Sequence, residues 1–339
     1  SNQEMFSLKL SVLLGAFWQS QGYTSEGIYW LKTVLANSHT TTASVERIQA
    51  LLLLSHISSL HMEHVPLALE TAQEALGQSQ SLEAHEYVVQ AYLRLSLIEQ
   101  QRRNWTAMQA HGQAGLTLAR QLEQPKLIAN ALWIVGGNLV MVEGDYVNGR
   151  KCLEESLSLN RSLGSQLDIG QSLNNLGFLV FLLGDLQAAR AYLEESLQIA
   201  RELPNLYLAS VSQDSLSAVM QDLGELEMAQ IYAEQSLQYS WQIRNTLNIR
   251  NGLENLASLA VLQGQLPRAT QLWGATEQFV PEENSRITML WQERNQRFMS
   301  ITRERLGESS FQRYWKIGKA MKLEEAVRSA LEVKALYLD

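Results

Sequence analysis

Gly184-Asp185-Leu186-Gln187-Ala188-Ala189-Arg190-Ala191-Tyr192-Leu193-Glu194-Glu195-Ser196-Leu197 decides the fold, because it returns along the chain. At a spacing of 40 the turn recurs as Gly144-Asp145-Tyr146, Gly224-Glu225-Leu226 and Gly264-Gln265-Leu266. The helix after it recurs as Leu153-Glu154-Glu155-Ser156-Leu157 and Ala233-Glu234-Gln235-Ser236-Leu237. A fixed period of this size marks stacked helical hairpins, none of which can bury its apolar face alone. Glycine in the left-handed conformation ends one helix, and Asp185 can cap the next. Ala189 is small where the two helices approach, and Leu193 and Leu197 share a buried face at i+4.

Outward from that stretch, a period of 40 or 41 yields seven hairpins, near 8–38, 48–79, 88–123, 129–164, 168–203, 208–244 and 248–281. In the fifth, helix A is expected near Asp168–Leu183 and helix B near Leu186–Glu202, with Gly177 allowing close contact between them. Gly137 takes the corresponding place in the fourth. Earlier copies are degenerate. The third has Tyr92, Leu95, Trp105 and Leu116 but no turn glycine, the second has Glu63-His64 at its turn, and the first has Gly22-Tyr23. The pattern stops at Pro281, and helices near Arg286–Leu306, Ser310–Ala320 and Glu324–Tyr337 are expected to cover the open end. The fold expected is all-α: a right-handed superhelix (α-solenoid) over 1–281 with a helical capping segment over 282–339.

Composition agrees. The 339 residues are 46% hydrophobic, and only five prolines interrupt them. A net charge of −8 argues against nucleic acid as a partner. Residues 285–322 depart from this, with nine Lys/Arg against three acids; that excess of +6 leaves −14 elsewhere. It reads as a solvated helix face or a docking patch for an acidic partner. One cysteine, Cys152, excludes an internal disulfide framework and fits a reducing, cytoplasmic setting. No apolar run is long enough for a membrane span. Ser1-Asn2 reads as a tag remnant, and the chain as a fragment of a longer protein.

The order Leu, Gly, bulky residue, Gly-Asp-Tyr/Leu, Ala, Leu resembles the tetratricopeptide repeat, extended here from 34 to 40 residues. Three further segments resemble the tetratricopeptide region of bacterial STAND regulators, signal-transduction ATPases with numerous domains. They are Phe17-Trp18-Gln19-Ser20-Gln21-Gly22-Tyr23 through Gly27 and Trp30-Leu31, Gly252-Leu253-Glu254-Asn255-Leu256-Ala257 through Leu272-Trp273-Gly274-Ala275-Thr276-Glu277, and Leu306-Gly307-Glu308 with Phe311, Trp315, Gly318 and Leu323-Glu324-Glu325-Ala326-Val327. The resemblance implies a sensor that follows an ATPase module, often in a protein that also carries a DNA-binding domain. The chain itself has no G-x-x-x-x-G-K-S/T phosphate loop, so no nucleotide or other cofactor is expected on it.

No constellation suggests an enzyme. G-x-S-x-G and H-E-x-x-H are absent, and His56, His61 and His64 read as turn and surface residues rather than metal ligands. Glu154-Glu155 and Glu194-Glu195 recur with the scaffold and therefore read as the solvated side of helix B. The concave face remains, and the tetratricopeptide resemblance implies that A helices line it. Repeat three offers Gln90, Leu93 and Gln100; repeat four Ile134, Asn138 and Met141; repeat five Gln171, Asn174, Phe178 and Phe181. Repeat six offers Asp214, Ala218 and Gln221, and repeat seven Asn251, Glu254 and Ser258. Amides both donate and accept, so such a row suits the backbone of an extended peptide, with Phe178 and Phe181 as an apolar anchor. The partner expected is a peptide or protein, the parent's own ATPase domain included. A small-molecule effector pocket and a passive scaffold are the rival readings.

Overall fold

Good helix formers fill the segments between turns, and among the described residues they wind into seventeen α-helices with no strand. The computed structural model describes residues 2–20, 23–36, 43–60, 62–277 and 286–331. Four hairpins come first: α1 (Asn2–Ser20) with α2 (Thr24–Ala36), α3 (Val45–Ser58) with α4 (Val65–Ser81), α5 (His85–Gln101) with α6 (Trp105–Gln121), and α7 (Pro125–Asn138) with α8 (Tyr146–Leu163). Three follow: α9 (Gln166–Leu182) with α10 (Leu186–Glu202), α11 (Leu206–Leu223) with α12 (Leu226–Gln242), and α13 (Thr246–Leu262) with α14 (Leu266–Thr276). Then come α15 (Arg286–Leu306), α16 (Glu308–Lys319) and α17 (Leu323–Leu331). Contacts divide the chain into two compact units, Ser1–Leu163 and Gly164–Asp339. Pro281, Gly22 and His61 lie outside the described residues.

The turns behave as the repeat requires. Gly144, Gly184, Gly224 and Gly264 have φ of 66°, 83°, 80° and 77°, a region that costs other L-residues about 1–2 kcal/mol. Asp145 Oδ1 accepts from Asn148 N at 3.0 Å, and Asp185 Oδ1 from Ala188 N at 3.1 Å, capping α8 and α10. Where repeat three lacks a glycine, Arg103 takes φ 59° instead, and Asn104 caps α6 through Ala107 N at 3.4 Å.

The serine of the recurring Leu-Glu-Glu-Ser-Leu is a clamp between the two helices of a hairpin. Ser156 donates to Ala129 O, Ser196 to Gly170 O and Ser236 to Ser210 O, at 2.8, 2.8 and 2.9 Å. All three are fully buried, so each hydroxyl needs that carbonyl. The paired glutamates are exposed, as expected; Glu154 and Glu194 pair with Arg150 and Arg190 one turn earlier, at 2.7 and 2.8 Å.

Register corrects one position. The clamp carbonyls Ala129 and Gly170 stand 41 apart while their serines stand 40 apart. The extra residue is absorbed by a π-helical turn, Leu139–Glu143, at the end of α7. The close-contact glycine of repeat four is therefore Gly136, where a Cβ would press on Leu153 and Cys152 at 3.0 Å, and not Gly137, which faces open space. Gly177 does meet its partner helix, at Leu193.

In the first unit, Leu31, Ile48, Leu51 and Leu54 form one buried cluster, and Leu116, Leu127, Leu132 and Ile134 another. In the second, Leu253, Leu256, Leu272 and Trp273 share their core with Ala326, Val327 and Ala330 of α17. The C-terminal helices thus join the last hairpin's core. Gly318 of α16 backs onto the Gln271 carbonyl of α14, and Gly274 of α14 faces the Trp315 carbonyl of α16, so the two backbones touch where side chains are missing.

Candidate partner-binding face

Within each unit the A helices form the tighter layer. α3 touches α5 and α5 touches α7; α9 touches α11 and α11 touches α13. Consecutive B helices contact one another less than consecutive A helices do. The A helices thus line the inner, concave side of each unit, and most residues singled out in the sequence stand on them.

The structure sorts those residues into two groups. Gln171, Asn174, Phe178 and Asn251 are part-exposed. Asn174 Oδ1 is buried with no hydrogen-bond partner, and the Phe178 ring lies 6.3 Å from that of Phe181, which is itself buried. Of the others, Asn138, Gln221 and Glu254 are buried, and Asp214 is part-exposed with its carboxylate bonded to the protein. Asn138 is buried and donates to Ser96 Oγ at 3.1 Å, because the π turn moves it off the open row. Met141 lies in that turn, and its side chain is outside the described residues.

In the second unit α15 packs over part of the inner face, at α13 and the end of α11. Glu254 is buried, paired with Arg250 at 2.8 Å, and its other oxygen accepts from Asn295 of α15 at 2.9 Å. Gln221 is buried too; it donates to Asn255 O at 3.3 Å and accepts from Arg294 of α15 at 3.1 Å. Arg294 also reaches Asp222, at 3.1 Å. The open row expected at Gln221 and Glu254 is therefore closed by the chain's own helix. The basic segment 285–322 is partly spent inside the fold: besides Arg294, Lys319 pairs with Glu277 at 2.9 Å and Arg303 lies 4.5 Å over the Phe311 ring.

Asp214 sits beside this network. Asn255 Nδ2 donates to its Oδ1 at 2.7 Å and to its carbonyl at 3.1 Å. Burial pushes the Asp214 carboxyl up to about 7; the Asn255 bond opposes the rise, the charge of Glu254 adds to it and Arg294 counters it. The folded state then holds a proton that the unfolded chain releases near 3.9. Stability from this group is complete below about pH 4 and is lost as pH climbs through about 7, at a slope of at most about 1.4 kcal/mol per pH unit. Urea midpoints measured from pH 5 to 8 should fall more steeply in the wild type than in Asp214→Asn. Equal slopes would show that Asp214 is ionised throughout.

Sequence reading missed several members of this face. Asn255 and Asn295 were hidden in helices read as scaffold and cap. Arg94 was legible as a lone charge in the apolar run Tyr92-Leu93-Arg94-Leu95. Among the described residues no helix is long and apolar enough to cross a membrane.

Comparison with known proteins accords with this architecture. The tetratricopeptide-repeat family model matches residues 127–202 and 168–240. Among solved structures, the apo form of RapI is similar at TM-score 0.60 and 13% identity, over 78% of this chain and 94% of that one. A STAND protein with a tetratricopeptide repeat sensor from Pyrococcus horikoshii is similar at TM-score 0.57 and 13% identity, over 96% of this chain but 50% of its own length. A Rap protein complexed with Competence and Sporulation Factor follows at TM-score 0.55 and 11% identity, over 96% and 99%. No curated protein matches the sequence. Tetratricopeptide repeats are matched over residues 127–240, and the chain has the helical-repeat solenoid fold of these structures.

Proposed function

We propose that this chain is a non-enzymatic sensor region that binds a peptide or protein on its A-helix face and acts within a larger STAND-type regulator. The observation that carries the reading is Asn174. Its Oδ1 is buried on the inner side of α9 without a partner, a state that costs about 1–3 kcal/mol unless a ligand N–H fills it. Phe178, one turn on and part-exposed, supplies an apolar contact beside it. Gln171 and Asn251 extend the row with further amides.

The Pyrococcus horikoshii neighbour supports the regulator context, and the Rap complex supports a factor as ligand on a fold of this kind. In such a parent, binding would bias a resting–active equilibrium through different affinities for the two states. The ATPase module of that parent is a candidate partner, and control of transcription in the cytoplasm a candidate output.

Peptides selected by phage display on the full chain test the reading. They should bind the wild type and lose about tenfold or more in affinity, equivalent to about 1.4 kcal/mol, to the double variant Asn174→Ala, Phe178→Ala. Helix content by circular dichroism should stay unchanged. Unaltered binding to the double variant, or no selectable peptide, would sink the assignment.

A further inference from the structure

Helix α15 is held to the inner face of the second unit by polar bonds more than by buried apolar surface. Among its described side chains only Asn295 and Thr302 are buried. Phe298 and Met299 pack against the last hairpin's core but stay part-exposed. Helix α17, by contrast, places Ala326, Val327 and Ala330 inside that core. Asn295 is the centre of the α15 contact. Its Nδ2 donates to Glu254 at 2.9 Å, and its Oδ1 accepts from Ser258 at 3.3 Å. Arg294 beside it donates to Gln221 Oε1 and Asp222 Oδ1, both at 3.1 Å. Such bonds exchange for bonds to water or a ligand at small net cost, whereas buried apolar area must be exposed to be released.

The helix also has a pivot. Gly307 joins it to α16 at φ 75° and ψ 150°, a region open essentially to glycine alone. α16 is fixed on α14, through Gly318 against the Gln271 carbonyl and through Trp315 Nε1, bonded to Glu277 at 2.6 Å. Across the pivot Arg303 reaches Glu308 at 3.1 Å, an exposed pair that holds little. α15 can therefore turn about Gly307 while α16 stays docked. α9 touches α11 and α11 touches α13, so the row that carries Asn174 runs on under α15.

We propose that α15 is a displaceable internal ligand: it masks the α11–α13 part of the inner face and swings out about Gly307 when a partner takes its place. That partner must bring what α15 now supplies. These are a basic side chain for Asp222 and Gln221, and a neighbouring amide for Glu254 and Ser258. Arg250 already neutralises Glu254, so an amide suffices there and the cation is needed only at Asp222. The inference rests on the peptide-binding reading for its partner, but the movement of α15 is measured without one.

Native-state hydrogen exchange of the full chain at low urea reads that movement. α15 should exchange through an opening that leaves α13, α14 and α16 protected. Arg294→Met, and Asp222→Asn from the opposite side, should each speed exchange in α15 about tenfold, the loss of one charge-assisted hydrogen bond. Circular dichroism should stay unchanged, and the second variant covers a folding failure of the first. Exchange of α15 in step with α13, or no acceleration in either variant, would overturn the proposal. Peptides selected by phage display on Arg294→Met supply the partner. They should carry Lys or Arg beside Asn or Gln and should speed α15 exchange when added to the wild type. They should also bind Arg294→Met tighter than the wild type, by the factor seen in exchange. Peptides that lack a basic residue, leave α15 exchange unaltered or bind both proteins equally would overturn it too. An opening α15 with no selectable peptide removes the proposed function and leaves the hinged helix. Peptides that need Asn174 but not the release of α15 remove only this proposal.

Discussion

Glu254→Leu should lower the stability of the second unit by about 3–5 kcal/mol, the cost of removing one partner from a buried ion pair. The side chains of Arg250 and Glu254 are only 9% and 6% exposed, so water cannot replace the lost carboxylate. The change strands the Arg250 charge and also deprives Asn295 Nδ2 of its acceptor, one of the bonds that hold α15 against α13. Leucine fills much the same volume, so the effect reports charge and hydrogen bonding rather than a cavity. The double change Arg250→Met, Glu254→Leu should recover most of the loss, because no charge is then left unpaired. Urea denaturation of the three proteins measures this. A single-variant loss below about 1 kcal/mol would mean that water reaches the pair.

Gly318→Ala should cause the second large effect. The new Cβ would overlap the backbone carbonyl of Gln271, which cannot move aside as a side-chain end could. α14 is anchored by Trp273 and Leu272 in the core, so α16 must yield. Overpacking of this kind costs about 1–3 kcal/mol, and more where backbone is the obstacle. Displacement of α16 would loosen the stacked pair Phe311 and Trp315 and the bonds of Trp315 Nε1 and Lys319 to Glu277, at 2.6 and 2.9 Å. Hydrogen exchange should accelerate across α16 while α9–α12 keep their protection. Unchanged exchange in α16 would show that the helices can separate at no cost.

Much of the fold was legible because its causes are local. A left-handed turn glycine, a capping aspartate and i+4 leucines act within a few residues, and each leaves a mark at a fixed spacing. The clamp serines Ser156, Ser196 and Ser236 were visible in the motif, although their carbonyl partners 26 or 27 residues earlier were not. One register error, Gly137 in place of Gly136, came from a π turn. An inserted residue inside a helix changes neither composition nor turn spacing, so only backbone hydrogen bonds reveal it.

The candidate site was less legible, since whether a side chain is free depends on what packs over it. Asn174 and Glu254 occupy equivalent places, 80 apart in sequence. One has an unpartnered oxygen and the other is sealed under α15 with Arg250 and Asn295. Helix α15 comes after the repeats end, and no periodicity says where it will lie.

The sequence alone therefore determined the hairpins and their turns, because these follow from short-range sterics and apolar spacing; that the A helices face inward was what the tetratricopeptide resemblance implied. Tertiary structure decided which inward-facing groups have partners. It closed the row at Gln221 and Glu254, moved Asn138 into the core, and left the Asn174 oxygen without a partner. Pairing of buried polar groups depends on distances between segments far apart in the chain, and those distances exist only once the helices have packed.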